Sequence, residues 1–206
     1  MEKAIIGLIG VVVGALLTTM KDFFFYRKSR KEEQIFLCIR ITSFLDKFAS
    51  ICIEVVFDDG LTYGQRNEDG TLTPTVTTPV FDPFIADVNW KCIPANLLYK
   101  IMQIPSEVEN ANGYIDSVWM HSCFPPDNDE LFEARAVKYA ELGIEAISLS
   151  KALRTLAGLP AKQYNEWNGS DRLKGELKKI EETQRIRSEK SIETHKNMLA
   201  SIATKT

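Results

Sequence analysis

The chain begins with the feature that most limits how it can fold. From Ala4 to Met20 no residue is charged, and Ile, Leu, Val, Gly and Ala dominate. Four aromatics follow, Phe23, Phe24, Phe25 and Tyr26, and then the basic residues Arg27, Lys28, Arg30 and Lys31. At about 1.5 Å per residue the apolar run reaches ~25 Å as a helix, and the aromatics extend it through an interfacial zone. That length suits a bilayer crossing. A cleaved signal peptide carries its positive charge ahead of the apolar region. Here only Lys3 and the amino terminus precede it, partly offset by Glu2, whereas Lys21 and the basic cluster follow. This bias predicts a retained single-pass anchor at residues 1–28, with residues 29–206 on the cytoplasmic side. The sequon Asn168-Gly169-Ser170 would then go unused, and it reads as a loop ending in a helix N-cap at Ser170.

Inside the apolar run, Gly7, Gly10 and Gly14, continued by Thr18, recur every three or four residues and share one helix face. Small residues let helix backbones approach closely in lipid, so this face predicts self-association. A ring of such helices would line a passage with apolar surface and favour a dewetted or gated path.

No Pro or Gly follows Gly14 until Gly60, and Ile35, Cys38, Ile39, Phe44, Leu45, Phe48, Ile51, Cys52, Val55 and Val56 recur at helical spacing. The anchor is therefore expected to run unbroken into a long cytoplasmic helix ending near Phe57. Residues 58–89 change character. Asp59-Gly60, Asp69-Gly70, Pro74, Pro79 and Pro83 punctuate a Thr-rich stretch that reads as an irregular or hairpin insertion, the leading candidate for a partner contact.

Helical signals then return. Pro94 suits the first turn of a short helix, Pro105 is expected to close it, and Ser106 with Glu109 forms a capping box for the next. A clearer helix, capped by Asp127 or Asp129, carries Leu131, Ala134, Leu142, Ile144, Ile147, Leu153 and Leu156, and stops at Gly158 before Pro160. Residues 170–203 form a long charged helix. The fold class expected is all-α: an antiparallel helical bundle with one insertion, joined to an N-terminal transmembrane helix.

Signals for chemistry are sparse. A net charge of -3 over 206 residues gives no general attraction to nucleic acid. Four widely spaced cysteines, Cys38, Cys52, Cys92 and Cys123, show no paired motif and read as reduced core thiols. His121 and Cys123 do not have structural-zinc spacing, and no phosphate loop or nucleophile elbow occurs. HEPN ribonucleases, also small helical bundles, place Arg four to six residues before His. Here Lys190 before His195 is a loose imitation at best, and the motif is missing. No catalytic residue, cofactor or metal is expected.

The stretches "LLYKIMQIPSEVENANGYI" and "FEARAVKYAELGIEAISLSKALRTLAGLP" resemble uncharacterised bacterial single-pass membrane proteins over the middle third of the chain. The layout, one span and then a cytoplasmic helical domain, is similar to membrane-anchored accessory proteins of bacterial antiviral immunity that assemble into rings. The apolar span and its charge bias lead us to expect the inner membrane as location and membrane lipid as a contact, and the glycine face a homo-oligomer as the working form. The expectation is a self-associating membrane protein, a pore-like or membrane-perturbing effector. The alternatives are a tethered adaptor that recruits a cytoplasmic protein partner and an anchored HEPN-like ribonuclease lacking the standard motif.

Overall fold

The computed structural model describes the backbone of residues 2–85, 88–162 and 168–203, and the side chains of 14–84, 88–162 and 168–197. Four α-helices carry the fold: α1, Glu2–Val56; α2, Ala95–Ser122; α3, Asp129–Ala157; and α4, Gly169–Ala203. No strand is present among the described residues, and the chain is all-α as its periodicity predicts.

Helix α3 is the centre. Its Ser150 and Arg154 bond to Asp46 of α1, and a Cβ on its Gly143 would lie 3.1 Å from Cys52 of α1. Tyr139 and Glu145 of α3 meet Asn112 and Lys100 of α2, while Glu133 pairs with Arg187 of α4 and Gly143 faces Leu173 of α4. In each pairing one number rises as the other falls, so α3 runs antiparallel to all three neighbours. That position explains its composition. Ala134, Ala136, Ala140, Gly143 and Ala146 are buried alongside Leu131, Leu142, Leu149 and Leu153, and small side chains let three helices approach one axis.

The buried face of α1 holds Leu37, Cys38, Ile41, Leu45, Phe48, Cys52 and Val55. Ile39, expected in the core, is 48% exposed, and Phe36 shares its side. At 100° per residue Ile39 sits opposite the stripe from Leu37 to Val55, which makes the correction a matter of phase.

Three boundaries also differ from expectation. Helix α2 continues through Pro105, because Ile101, Ile104, Val108, Ala111 and Ile115 form one buried stripe spanning it. Burial on both sides outweighs the ~3 kcal/mol that an internal proline costs. The cap of α4 is Asn168, two residues before Ser170; its Oδ1 accepts the Ser170 amide at 3.2 Å. Helix α3 begins after Asn128, held in the left-handed region at φ +53°, with its side chain donating to the Leu72 carbonyl instead of capping. The expected stop at Gly158 is found. It adopts φ +66°, and the amides of Gly158 and Leu159 return to Thr155 and Arg154, a Schellman closure.

The insertion is irregular but tightly held. Tyr63 and Gly64, both at positive φ, make a two-residue turn closed by paired bonds between Thr62 and Gln65; the Thr-rich stretch 70–82, expected as a small hairpin or extended arm, forms no strand. Asp58 anchors the rest. Its side chain is 0% exposed and accepts from the amides of Gly60, Thr75 and Val76 and from the Thr75 hydroxyl. Arg135 of α3 completes the set at 3.3 Å and also donates to the Val76 carbonyl at 2.6 Å. Burial alone would raise the Asp58 pKa, yet these hydrogen bonds and the Arg135 charge together hold it below the ordinary carboxylate value. Phe81 then packs edge-on against Phe48, with ring centroids 5.5 Å apart.

Replacing Arg135 with Met strips a buried carboxylate of its counter-ion and should lower stability by about 3–5 kcal/mol in urea unfolding. Because the folded pKa of Asp58 is depressed, its contribution is full above the unfolded value of about 3.9 and is lost as pH falls through the folded value. Asp58→Asn should therefore flatten the stability profile below about pH 4, as read by denaturant midpoints across pH.

Candidate functional site

Helix α1 has two parts. From Gln34 onward one side is buried in the bundle, whereas every residue from Gly14 to Glu33 is exposed. The exposed part is about 30 Å of helix standing away from the core. It carries Leu16, Leu17, Met20, Phe23, Phe24, Phe25 and Tyr26, each at least half exposed.

Four consecutive aromatics point in four directions around a helix axis. Phe23–Tyr26 thus form an aromatic girdle exposed on every side of the helix. Cations stack on it one turn later or earlier: Arg27 lies 4.4 Å from the Phe23 ring, Lys21 5.7 Å from Phe25 and Arg30 5.8 Å from Tyr26. Lys28 and Lys31 are exposed at the same level. The hydroxyls nearby are already satisfied. Thr18 donates to the Gly14 carbonyl and Thr19 to that of Leu16, both at 2.9 Å, leaving neither as an orphan donor.

The expected association face is described only in part. A Cβ on Gly14 would meet nothing within 4 Å, and Thr18 lies one turn along on that side. The surroundings of Gly7 and Gly10 lie outside the described side chains. The transmembrane span itself finds no support here, since no helix among the described residues is long and apolar enough to cross a membrane. The physical reason is where the charges fall. Lys21, Asp22 and Arg27 follow closely on Gly14–Met20, and the side chains of the apolar residues before Gly14 lie outside those described.

The projecting part joins the bundle through a short 3-10 turn, Trp90–Cys92, at the end of the insertion. Arg30 donates to the Lys91 carbonyl at 3.3 Å, Gln34 donates to that of Cys92, and Asn89 donates to Glu33 at 3.3 Å. Nothing in the apolar spacing signals these bonds, because each depends on an irregular segment returning to α1.

A second polar cluster, also missed in the sequence, joins α1 to α3. Asp46 accepts from Ser150 at 2.7 Å and Arg154 at 2.9 Å, with Lys162 at 3.3 Å. Partial burial opposes ionisation, but these donors keep its pKa below the usual range. Beside it a groove of about 600 Å³ runs between α3 and α4, lined in part by Lys151, Arg154, Lys162 and Lys174. Two of those cations are engaged by Asp46, which dilutes the groove's attraction for an external anion.

The remaining candidates are dispersed. Lys190 and His195 are both exposed on α4, and five residues of helix separate them by about 140°, so they do not converge on one substrate. Among the described residues no group of three or more His, Cys, Asp or Glu could hold a metal ion. The four cysteines are free thiols; Cys38, Cys52 and Cys92 are buried as the core-thiol reading expects, whereas Cys123 is only half-buried, and burial raises the pKa of Cys38 and Cys52. No family model matches the chain, and neither a curated protein nor a solved structure resembles it significantly.

Since residues 14–29 add no buried side chain, a chain starting at Arg30 should keep the bundle. Its thermal midpoint by circular dichroism should stay within about 4 °C of the full chain. A larger drop would mean that the projecting segment folds back on the core.

Proposed function

We propose that the protein is a membrane-anchored, self-associating helical protein whose cytoplasmic bundle is built on the same helix as its anchor, and that it acts as a pore-like or membrane-perturbing effector. The observation that carries this reading is the exposed girdle Phe23–Tyr26 on a helix that enters the bundle without a break. Aromatics at the level of headgroups, followed by Arg27, Lys28, Arg30 and Lys31, are the pattern of a membrane-water boundary with its positive side in the cytoplasm. The apolar residues before the girdle then lie in hydrocarbon, and Gly7, Gly10, Gly14 and Thr18 supply a face along which copies pack. The bundle contributes rigidity: a tilt or rotation of α1 in the cytoplasm moves the anchor with it.

The deciding experiment is the oligomeric mass of the full chain in nanodiscs or mild detergent, by light scattering. A discrete higher-order species supports the reading, and the double variant Gly10→Leu, Gly14→Leu should shift it toward monomer while leaving the thermal midpoint of the bundle unchanged. A monomer or dimer would instead favour a tethered adaptor. That second reading draws on Val80 and Phe84, 88% and 70% exposed on the insertion. Val80→Ser with Phe84→Ser should then release a partner co-purified from membranes without displacing the protein from lipid.

A further inference from the structure

Phe81 and the segment 89–92 meet α1 at two different heights. Phe81 packs on Phe48, whereas Asn89, Lys91 and Cys92 bond to Glu33, Arg30 and Gln34. The distance from Phe48 to Arg30 along the helix is about 27 Å. Among the described residues, these are the hydrogen bonds that tie α1 to the rest of the chain nearest its aromatic girdle. Arg30 lies one turn from Tyr26 and stacks over its ring. The 3-10 turn Trp90–Cys92 therefore sits at the height of the girdle's basic edge, with Lys91 exposed and Trp90 partly packed against the bundle's core and partly open to solvent.

We propose that this turn is a second membrane contact, in which Lys91 and the Trp90 ring meet the anionic headgroups beside the point where α1 leaves the bilayer. The proposal rests on the anchor reading above and extends it to the bundle. Its chemistry is that of the boundary: Trp is enriched at headgroup level, and a Lys beside an anionic leaflet is attracted to it. Arg27, Lys28 and Lys31 add charge at the same height. Other cations are too far away to substitute. Lys162 is fixed at the level of Asp46, about 24 Å along α1 from Arg30, well beyond the ~8 Å screening length at physiological salt. Because α1 enters the bundle unbroken, a second contact beside the first limits how far anchor and bundle together can tilt against the membrane plane.

The test uses the full chain carrying Trp119→Phe and Trp167→Phe, which leaves Trp90 as the one tryptophan of three. It is reconstituted into vesicles of phosphatidylcholine and phosphatidylglycerol, with plain acyl chains or with bromine near the headgroup end. Flotation comes first: protein that fails to float overturns the anchor reading and this proposal with it. For floating protein, the expected result is a loss of Trp90 emission in the brominated vesicles. That loss should be several-fold smaller for Lys91→Glu and in vesicles of phosphatidylcholine alone. Floating protein with equal Trp90 emission in plain and brominated vesicles overturns the second contact while the anchor stands. Lys91→Gln, which removes the charge without reversing it, should fall between the two and guards against a folding defect in the reversal.

Discussion

Everything in this protein depends on three helices closing around α3. The closeness is set by small residues, most sharply at Gly143, where an added Cβ would come within 2.8 Å of Leu173 on α4 and 3.1 Å of Cys52 on α1. A side chain there would push two helices outward and open the core that Leu45, Tyr139, Leu149, Leu153 and Leu173 fill. Because α3 is antiparallel to each neighbour, α1, α2 and α4 run in one direction. The start of α1 and the end of α4 consequently leave the bundle at opposite ends.

Charge holds what packing cannot. The insertion lacks regular backbone pairing, so its amides need partners, and Asp58 supplies them for Gly60, Thr75 and Val76. Arg135 offsets the burial of that carboxylate and links the insertion to the central helix. The segment is thus part of the bundle's structure, and its far end can place the Trp90–Cys92 turn against α1. Asp46 serves a comparable purpose at the other end of the α1–α3 contact, gathering Ser150, Arg154 and Lys162.

Continuity of α1 gives this scaffold its functional direction. One helix carries an exposed, apolar and aromatic segment and also forms a wall of the core. As one unbroken helix, α1 fixes the direction of the projecting segment relative to the core. Helix α4 extends the opposite way. Its residues 181–197 are exposed, with Ile186 and Ile192 among them; Arg187 still pairs with Glu133 of α3, and the rest presents a charged rod on the side away from the stalk.

Local signals carried much of this architecture. Uninterrupted helical periodicity from the apolar start to Val56, the stop at Gly158 and the charged run beginning after Asn168 depend on residues near one another in the chain, and so were legible without coordinates. The girdle and its basic edge were equally plain, since four adjacent aromatics declare themselves. Tertiary structure decided the rest. Whether Pro105 ends a helix depends on burial of Ile101 and Val108 to either side of it, and whether Ile39 is core depends on the direction from which α3 approaches. Asp58 and Arg135 are 77 residues apart, as are none of the pairs that helical spacing can reveal. Local propensity acts through backbone torsions and fixes elements, whereas buried charge pairs and helix contacts arise only when distant segments exclude water together.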